Sequence, residues 1–266
     1  MGKISILTAA NIRKNKSQAF SLLVFVVIAV MLVNVGLVLL FNFGKYFDNR
    51  AEQLHAPHLT ILQNEKYTTD EQLTWLKRYP RVTEVEKLQV LADYGEYFMH
   101  GAKNVAAMIL ENGNEKHAMN GYYLIGESDP LKDNAIYVPY TMKVAGGYHL
   151  GDDYQLNFAD KELHFTIAGF TEEITFGALL NDFYRFYISD SMYTRLSAQF
   201  PDSKSYLQTA RMEKNSLGTR AQVDYGKAFY HTREMENVSN PFVFAISYDA
   251  VKEARSTVSI TASLIT

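Results

Sequence analysis

The chain has 266 residues, a net charge of −3, 47% hydrophobic residues and no cysteine. Without cysteine it can carry neither a disulfide framework nor a thiolate nucleophile. The first eighteen residues contain four cations and no acid, so 22 of the 26 cations face 29 acids in the remainder, a net charge of −7. This acidic remainder argues against nucleic acid as a partner.

A long apolar run, AFSLLVFVVIAVMLVNVGLVLLFNF, occupies residues 19–43 and contains no charge. It is too long for the apolar core of a secretory signal, which has about 7 to 15 residues, and no A-x-A-like cleavage pattern follows it. At about 1.5 Å per residue the run is about 37 Å long, enough to cross a hydrocarbon core of about 30 Å with some tilt. The sequence therefore predicts a retained transmembrane helix at residues 19–43.

The charges that flank this run predict its orientation, because Lys and Arg beside a membrane span are held on the cytoplasmic side. Residues 1–18 are basic, whereas the residues that follow the run mix cations with acids. We expect residues 1–18 to form a cytoplasmic amphipathic lead on the inner membrane surface, with a disordered tail as the alternative. Residues 44–255 are then extracytoplasmic. The cations that set this orientation are Lys3, Arg13, Lys14 and Lys16.

Polar and small residues interrupt the apolar run at Asn34, Gly36 and Asn42. A polar side chain within the bilayer costs free energy unless it finds a partner, and small residues let helices approach closely. We therefore expect these three positions to pack against another membrane helix. The alternative is that an isolated anchor tolerates a single Asn.

The first part of the outer region has the pattern of a β-α-β unit. APHLTILQNE and RVTEVEKLQVLADY are typical of strands, and TTDEQLTWLKRYP between them is typical of a helix. Thr68 and Glu71 have the spacing of a capping box, and Pro80 ends the helix. NPFVFAISYDA is a later strand placed to rejoin this unit. The predicted fold class is α+β, with a split ferredoxin-like β-α-β subdomain and a β-rich insertion at about residues 95–187.

The insertion and the part that follows it contain several short elements. NAIYVP is a strand, YTMKVAGG one or two helical turns, and YQLNFADKELHFTIAGF a hairpin that turns at Ala159, Asp160 and Lys161. DFYRFYIS is a further strand, and Ser189 or Asp190 caps the helix that follows it. A polar helix is predicted from Asp202 to Asn215.

The last residues, STVSITASLIT, carry no charge. An edge strand with alternating apolar residues is one interpretation. We favour residues 256–266 as the start of a truncated second transmembrane helix, since eleven residues are too few to cross a membrane.

The sequence offers few candidates for chemistry. It has no G-x-x-x-x-G-K-[ST], G-x-S-x-G or H-E-x-x-H motif, so any ATP hydrolysis requires another polypeptide. His55 and His58 are three residues apart, but Pro57 between them disfavours a metal site. The pairs at residues 152–153 and 172–173 are interpreted as surface carboxylates, and the aromatic run at 183–187 as core. We expect no catalytic, cofactor or metal residue in this chain.

The order of these features resembles the N-terminal half of FtsX/MacB-like permeases, the membrane subunits of ABC transporters. The resemblance is carried by the basic lead AANIRKNKSQAF and by the helix, stop and strand of WLKRYPRVTEVEKLQVL. It is strongest in NAIYVPYTMKVAGGYHLGDDYQLNFADKELHFTIAGFTEE. There a strand, a short helix, a turn and a hairpin follow the family's order, and the turn is formed by Leu150, Gly151 and Asp152.

This resemblance implies a non-enzymatic permease subunit in a bacterial cell membrane, multi-pass in the intact protein. It implies that ATP binds to a separate cytoplasmic ABC ATPase, and that a second permease copy or a homologous permease completes the assembly. Substrates of the family are peptides, lipoproteins or other amphiphiles, and some members instead regulate cell-wall hydrolases. The alternative function is a single-pass, membrane-anchored binding or sensor domain, and an anchored hydrolase is the third hypothesis.

Overall fold

The computed structural model describes residues 16–99, 101–119, 121–177, 183–230 and 243–265. The helices of this part are α1 Lys16–Gln53, α2 Asp70–Arg78, α3 Tyr140–Val144, α4 Asp190–Gln199, α5 Leu217–Phe229 and α6 Tyr248–Ile265. The strands are β1 Leu59–Asn64, β2 Val82–Met99, β3 Ala102–Asn112, β4 Tyr123–Leu124, β5 Ala135–Pro139, β6 Asp153–Phe158, β7 Lys161–Glu172, β8 Phe183–Ile188, β9 Lys204–Met212 and β10 Val243–Ser247.

Helix α1 is continuous over 38 residues and extends ten residues beyond the apolar run. At about 1.5 Å per residue it is about 57 Å long, well beyond the thickness of a hydrocarbon core. In the described part of the chain it is the one helix long and apolar enough to cross a membrane. Its apolar side chains point away from the protein, as with Phe25, which is 74% exposed. A surface of this kind is stable in lipid and costly in water.

The strands form one mixed sheet in the order β10-β1-β9-β2-β3-β8-β5-β7-β4, and β6 pairs with β2 and β7. Strand β9 lies between β1 and β2 and is antiparallel to both, so β1 and β2 are parallel to each other but not adjacent. Strand β10 pairs with β1, as the sequence predicts for NPFVFAISYDA. The α+β class is confirmed.

Among the apolar cores of this sheet, two belong to different parts of it. One contains Leu76 of α2 and Tyr225 of α5 against Ile61 of β1 and Ala210 of β9. The other covers the inserted strands β3 to β8 and includes Phe186. Helices α2 and α5 thus cover the four-stranded end of the sheet, formed by β10, β1, β9 and β2. The inserted strands have a separate core.

Most predicted elements of the insertion are confirmed. The strand NAIYVP, the short helix after it and the strand DFYRFYIS match β5, α3 and β8. Strands β6 and β7 form the predicted hairpin, and both Ala159 and Asp160 at its turn have positive φ, 49° and 60°. This pair of angles is typical of a type I′ turn, which matches the twist of a two-stranded hairpin. Ser189 is the residue that caps α4.

The predicted capping box is wrong by one residue. Thr69, not Thr68, is the N-cap of α2: its side chain accepts from the backbone N–H of Gln72, whose Oε1 accepts from the N–H of Thr69. The hydroxyl of Thr68 instead donates to the carbonyl of Asn64 and closes the 3-10 turn Glu65–Tyr67. Thr68 and Thr69 have the same side chain, so either could cap the helix. The 3-10 turn before the helix uses Thr68, which leaves Thr69 as the N-cap.

The predicted polar helix from Asp202 to Asn215 is also wrong. A 3-10 turn and β9 occupy most of that segment, and the helix α5 follows it. Because β9 lies between two strands and has a covered face on each side, polar side chains such as Ser205, Gln208 and Thr209 are buried. A strand buried on both faces shows no alternation of polar and apolar residues.

A prediction concerns Gly218 in the first turn of α5. A Cβ at this position would lie 2.0 Å from the carbonyl oxygen of His58, so the helix can approach β1 only without a side chain there. We expect Gly218→Ala to lower the free energy of unfolding by about 1–3 kcal/mol. Denaturation of the full chain in detergent, followed by the fluorescence of its single tryptophan, Trp75, measures this change, since Trp75 packs on Tyr225 of α5.

The matched control is Gly226→Ala on the same helix. There a Cβ would meet the ring of Tyr230 at 3.5 Å, an ordinary contact. Alanine in a helix interior is favoured over glycine by about 1 kcal/mol, so this variant should be neutral or stabilised. Equal losses in the two variants would contradict the close-approach explanation.

Candidate functional site

The candidate site is the place where α1 and α6 meet the sheet, which we call the stalk junction. Its charged residues are Asp48, Arg50, Glu52, Glu172, Arg211, Lys252 and Arg255. Helices α1 and α6 lie side by side there, and Phe47 and Ala51 pack against Tyr248 and Val251. The rings of Phe47 and Tyr248 are 5.4 Å apart. The two helices at the ends of the sheet-containing domain are therefore adjacent at this junction.

Asp48 joins the two helices directly. Lys252 Nζ lies 2.7 and 2.8 Å from its two carboxylate oxygens, and the Tyr248 hydroxyl donates to Asp48 Oδ1 over 2.7 Å. Tyr248 and Lys252 are four residues apart, so both lie on the face of α6 that meets α1. Burial and the neighbouring carboxylate raise the pKa of Tyr248, which keeps the hydroxyl protonated as the donor.

Arg50 joins α1 to the end of β7. Its Nε and Nη2 donate to Glu172 Oε2 over 3.1 and 2.5 Å, and its guanidinium lies 4.9 Å from the ring centre of Tyr123. The hydrogen bond to Glu172 raises the pKa of Arg50. A guanidinium that contacts a carboxylate and an aromatic ring is held in one orientation more firmly than a lysine would be.

Arg211 of β9 fixes the connection between α1 and β1. Its Nη2 donates to Glu52 Oε2 over 2.8 Å, and its Nη1 donates to the carbonyl of Ala56 over 2.9 Å. His58 adds to this connection, because its Nδ1 accepts from the N–H of Met212 at 3.0 Å. The carbonyl of His58 accepts from the N–H of Tyr248 at the start of α6. The short segment from Ala56 to His58, which follows α1, thus contacts both β9 and α6.

Arg255 joins α6 to the segment that follows β7. Its Nη2 donates to the carbonyls of Glu173 and Phe176 over 3.0 and 2.8 Å. Glu172 and Glu173, predicted to be surface carboxylates, both take part in the site. That prediction is wrong for Glu173, which is 5% exposed.

A buried cluster of charges includes the side chain of Glu173, which follows β7. Arg185 Nε and Nη2 donate to Glu111 Oε2 over 2.8 and 2.5 Å, and Nη1 donates to Glu173 Oε2 over 3.2 Å. Tyr187 also donates to Glu173, and His117 Nε2 lies 2.8 Å from Glu111 Oε1. Arg185 is fully buried. Charges at this depth are retained in proteins when they are paired.

The two carboxylates of this cluster differ. Burial acts to raise the pKa of Glu111, but the opposing effects of Arg185 and His117 lower it below its usual value. Burial raises the pKa of Glu173 above its usual value, against the attraction of Arg185. The environment around Arg185 therefore favours the ionised form of Glu111 but disfavours that of Glu173.

The residues predicted from the sequence lie mostly outside the stalk junction. Lys16 begins α1 and is exposed, whereas Lys3, Arg13 and Lys14 lie outside the described residues. Asn34 Nδ2 donates to the carbonyl of Val30 over 2.9 Å, and a Cβ at Gly36 would meet nothing within 4 Å. Asn42 is exposed. The role of Asn34, Gly36 and Asn42 in helix packing stays a prediction.

The predicted family-like turn at Leu150, Gly151 and Asp152 is present as a turn. Gly151 has φ of 87° and donates its N–H to the carbonyl of Ile167, and Asp152 Oδ2 accepts from the N–H of His149. It lies apart from the stalk residues in sequence and shares no hydrogen bond with them that the structure records. Its functional role stays a prediction.

The histidine pair does not form a metal site. His55 contacts Glu84 at 2.7 Å, while His58 faces β9. Within the described ranges, no group of three or more His, Asp or Glu residues could hold a metal ion. The aromatic residues of β8 lie in the core, as predicted, and Tyr184, Phe186 and Tyr187 are fully buried.

Sequence reasoning missed the stalk residues because it used the charges after residue 43 only to orient the helix. The signal that could have found them is Asp48, Arg50 and Glu52 at alternate positions just beyond an apolar run. On one helix these charges point in different directions, so they can bind several elements at once.

No family model and no curated protein matches the chain. The solved structures that are similar to it include the two that follow. The extracellular domain of the noncanonic ABC-type transporter YknZ from Gram-positive bacteria has 10% identity and a TM-score of 0.34, covering 70% of this chain and 99% of that one. A domain of a protein described as a permease, from Porphyromonas gingivalis, has 14% identity and a TM-score of 0.31, covering 72% and 88%.

A prediction concerns His58, which connects β1 to β9 and α6. Burial, with the nearby charge of Arg211, lowers the pKa of His58 to about 4. In the unfolded chain a histidine titrates near pH 6.5, so the unfolded state takes up a proton first as the pH falls. The stabilising effect of the neutral ring is complete above about pH 6.5 and is lost as the pH falls through about 4, by about 3 kcal/mol in total.

The measurement is the free energy of unfolding of the full chain at about pH 7 and about pH 5.5, a window above the usual carboxylate range. We expect a loss of about 1 kcal/mol at the lower pH in the parent. The control is His58→Asn, whose amide oxygen can still accept from Met212 but does not titrate. The same pH dependence in both proteins would show that His58 is not its source.

Proposed function

We propose that this chain is the N-terminal part of an FtsX/MacB-like ABC transporter permease that couples ATP hydrolysis in a separate subunit to movement of its outer domain. The observation that carries the proposal is the stalk junction. Two adjacent helices, one of them long and apolar enough to cross a membrane, bind the same side of one domain through Asp48, Arg50 and Arg255. A domain attached in this way must respond when its two helices shift relative to each other.

In this proposal residues 1–18 are cytoplasmic, residues 19–43 cross the membrane and residues 44–255 are extracytoplasmic. The unit of β1, α2, β2, β9, α5 and β10 is the split ferredoxin-like subdomain, because its strands lie in the order β10-β1-β9-β2. Residues 256–266 begin a second membrane helix. The helical conformation of α6 through Ile265 supports this over the alternative of a terminal edge strand.

The partners in this proposal are a cytoplasmic ABC ATPase, which binds the ATP, and a second permease copy or homologous permease. The substrate class is peptides, lipoproteins or other amphiphiles, handled at the outer side of a bacterial cell membrane. The full-length protein, purified from its own membranes, should retain an ATP-hydrolysing subunit. A full-length protein that purifies without any ATPase activity would contradict the proposal and favour an anchored binding or sensor domain.

A further prediction tests the coupling itself. Residues 1–266 contain no cysteine, so Tyr46→Cys places one reactive thiol among them, at an exposed position just before Asp48. In the intact assembly we expect its rate of maleimide labelling to change when a non-hydrolysable ATP analogue is added. Lys252→Met removes the contact with Asp48 and should abolish that change. The fold should persist, because a partly exposed ion pair contributes about 1 kcal/mol or less.

The matched control for this test is Lys103→Met, which removes another ion pair, with Glu96, in the distant strand pair of β2 and β3. Its nucleotide-dependent labelling should equal that of the parent. Loss of the response in both variants, or in neither, would contradict a coupling role for Asp48 and Lys252.

The predicted helix-packing face of α1 has its own test. The hydrogen bond from Asn34 to Val30 reduces the cost of the amide in lipid, but the second amide proton and the carbonyl oxygen still gain from a partner. In the intact assembly a lipid-soluble thiol reagent should label Asn34→Cys slowly and Leu32→Cys rapidly, because the two positions are about 200° apart around the helix. Equal labelling would contradict a packed Asn34.

A further inference from the structure

A cleft of about 470 Å³ opens beside the stalk junction. Phe43 and Tyr46 of α1 form one side, and α3 forms the other. Its volume lies within the range of about 300–1,000 Å³ that is usual for small-molecule sites. The rest of the lining includes Val144 of α3, Glu172, Glu173 and Phe176 at and after the end of β7, and Arg255 of α6.

The position of the cleft along α1 determines what can reach it. Phe43 is the last residue of the apolar run, and Tyr46 lies one turn further, 67% exposed. Val144 at the end of α3 is 69% exposed. Aromatic residues are enriched where a helix leaves the hydrocarbon, so the mouth of the cleft lies level with the lipid headgroups if α1 crosses the membrane. The apolar surface of α1 is continuous with the cleft through Phe43.

The inner part of the cleft is polar. Glu173 Oε1 is buried and has no hydrogen-bond partner in the part of the chain that the structure describes. The other oxygen of this carboxylate is used by Arg185 and Tyr187, and Glu172 is bound to Arg50. A buried acceptor without a donor is unfavourable, so a ligand that brings a donor is favoured there. The guanidinium of Arg255 adds a positive charge to the same lining.

We propose that this cleft binds a membrane lipid of the outer leaflet that has a zwitterionic headgroup with hydrogen-bond donors, a primary ammonium in particular. The acyl chain lies along Phe43, Val144 and Phe176, and the ammonium donates to Glu173. The phosphate lies on the side of Arg255. The inference rests on the proposed membrane crossing of α1 but not on coupling to an ATPase.

The test uses the full-length protein in vesicles that contain a photoactivatable phosphatidylethanolamine, with diazirine in one acyl chain. Light-induced crosslinks are mapped by mass spectrometry. We expect them at residues 43–46 and 139–144, and about tenfold fewer with the matching phosphatidylcholine, whose quaternary ammonium has no donor, a ratio equivalent to ~1.4 kcal/mol. Equal labelling of these segments by the two lipids would overturn the proposal.

Occlusion of the cleft provides the second arm. Val144→Trp fills the mouth from an exposed position and should reduce labelling of both segments by roughly fivefold or more. Val223→Trp, at a 50% exposed position on α5, is the matched control and should label like the parent. Unchanged labelling in Val144→Trp, or the same loss in both variants, would also overturn the proposal. ATP hydrolysis in the same preparations tests the proposed function separately, since a coupled assembly without lipid in the cleft would refute this inference alone.

Discussion

Arg211 determines how the long helix α1 meets the sheet, and the rest of the stalk junction depends on it. The guanidinium binds Glu52 on the last turn of α1 and the carbonyl of Ala56 in the same connection. Since β9 lies between β1 and β2, Arg211 is attached to a central strand of the sheet. The direction of a helix about 57 Å long is thus set by a few contacts near its end, and a small tilt there becomes a large displacement at the far end.

A second chain of contacts runs from the buried charges to α6. Glu111 and Glu173 hold Arg185 in the core, and the backbone of Glu173 holds Arg255 of α6 through its carbonyl. Breaking a buried ion pair costs about 3–5 kcal/mol, because it leaves a charge without compensation. The segment that receives α6 is therefore fixed to the core of the inserted strands, while Arg211 fixes α1 to the other part of the sheet. The junction spans both parts of the domain.

Sequence patterns predicted the elements whose signals are local. The apolar run of α1, the hairpin turn at Ala159 and Asp160, and the cap at Ser189 each depend on residues close in sequence. The stalk junction depends on pairs far apart, such as Asp48 with Lys252, and no spacing rule brings those together. Strand β9 was missed because burial on both faces removes alternation, and Glu173 because its partner Arg185 belongs to another strand. Long-range pairing of charges is set by topology, which a single sequence does not display.

The strengths of these contacts indicate which of them break first when α1 and α6 move relative to each other. The pair of Asp48 and Lys252 is partly exposed and contributes about 1 kcal/mol or less, whereas the contacts of Arg185 are buried and far more costly to break. A shift of α1 relative to α6 therefore separates Asp48 from Lys252 before it disturbs the sheet. The same shift moves Phe43 and Arg255, which lie on opposite helices and both line the cleft. A molecule that binds there more tightly in one arrangement of the helices favours that arrangement, and by linkage the arrangement of the helices then sets the affinity of the cleft.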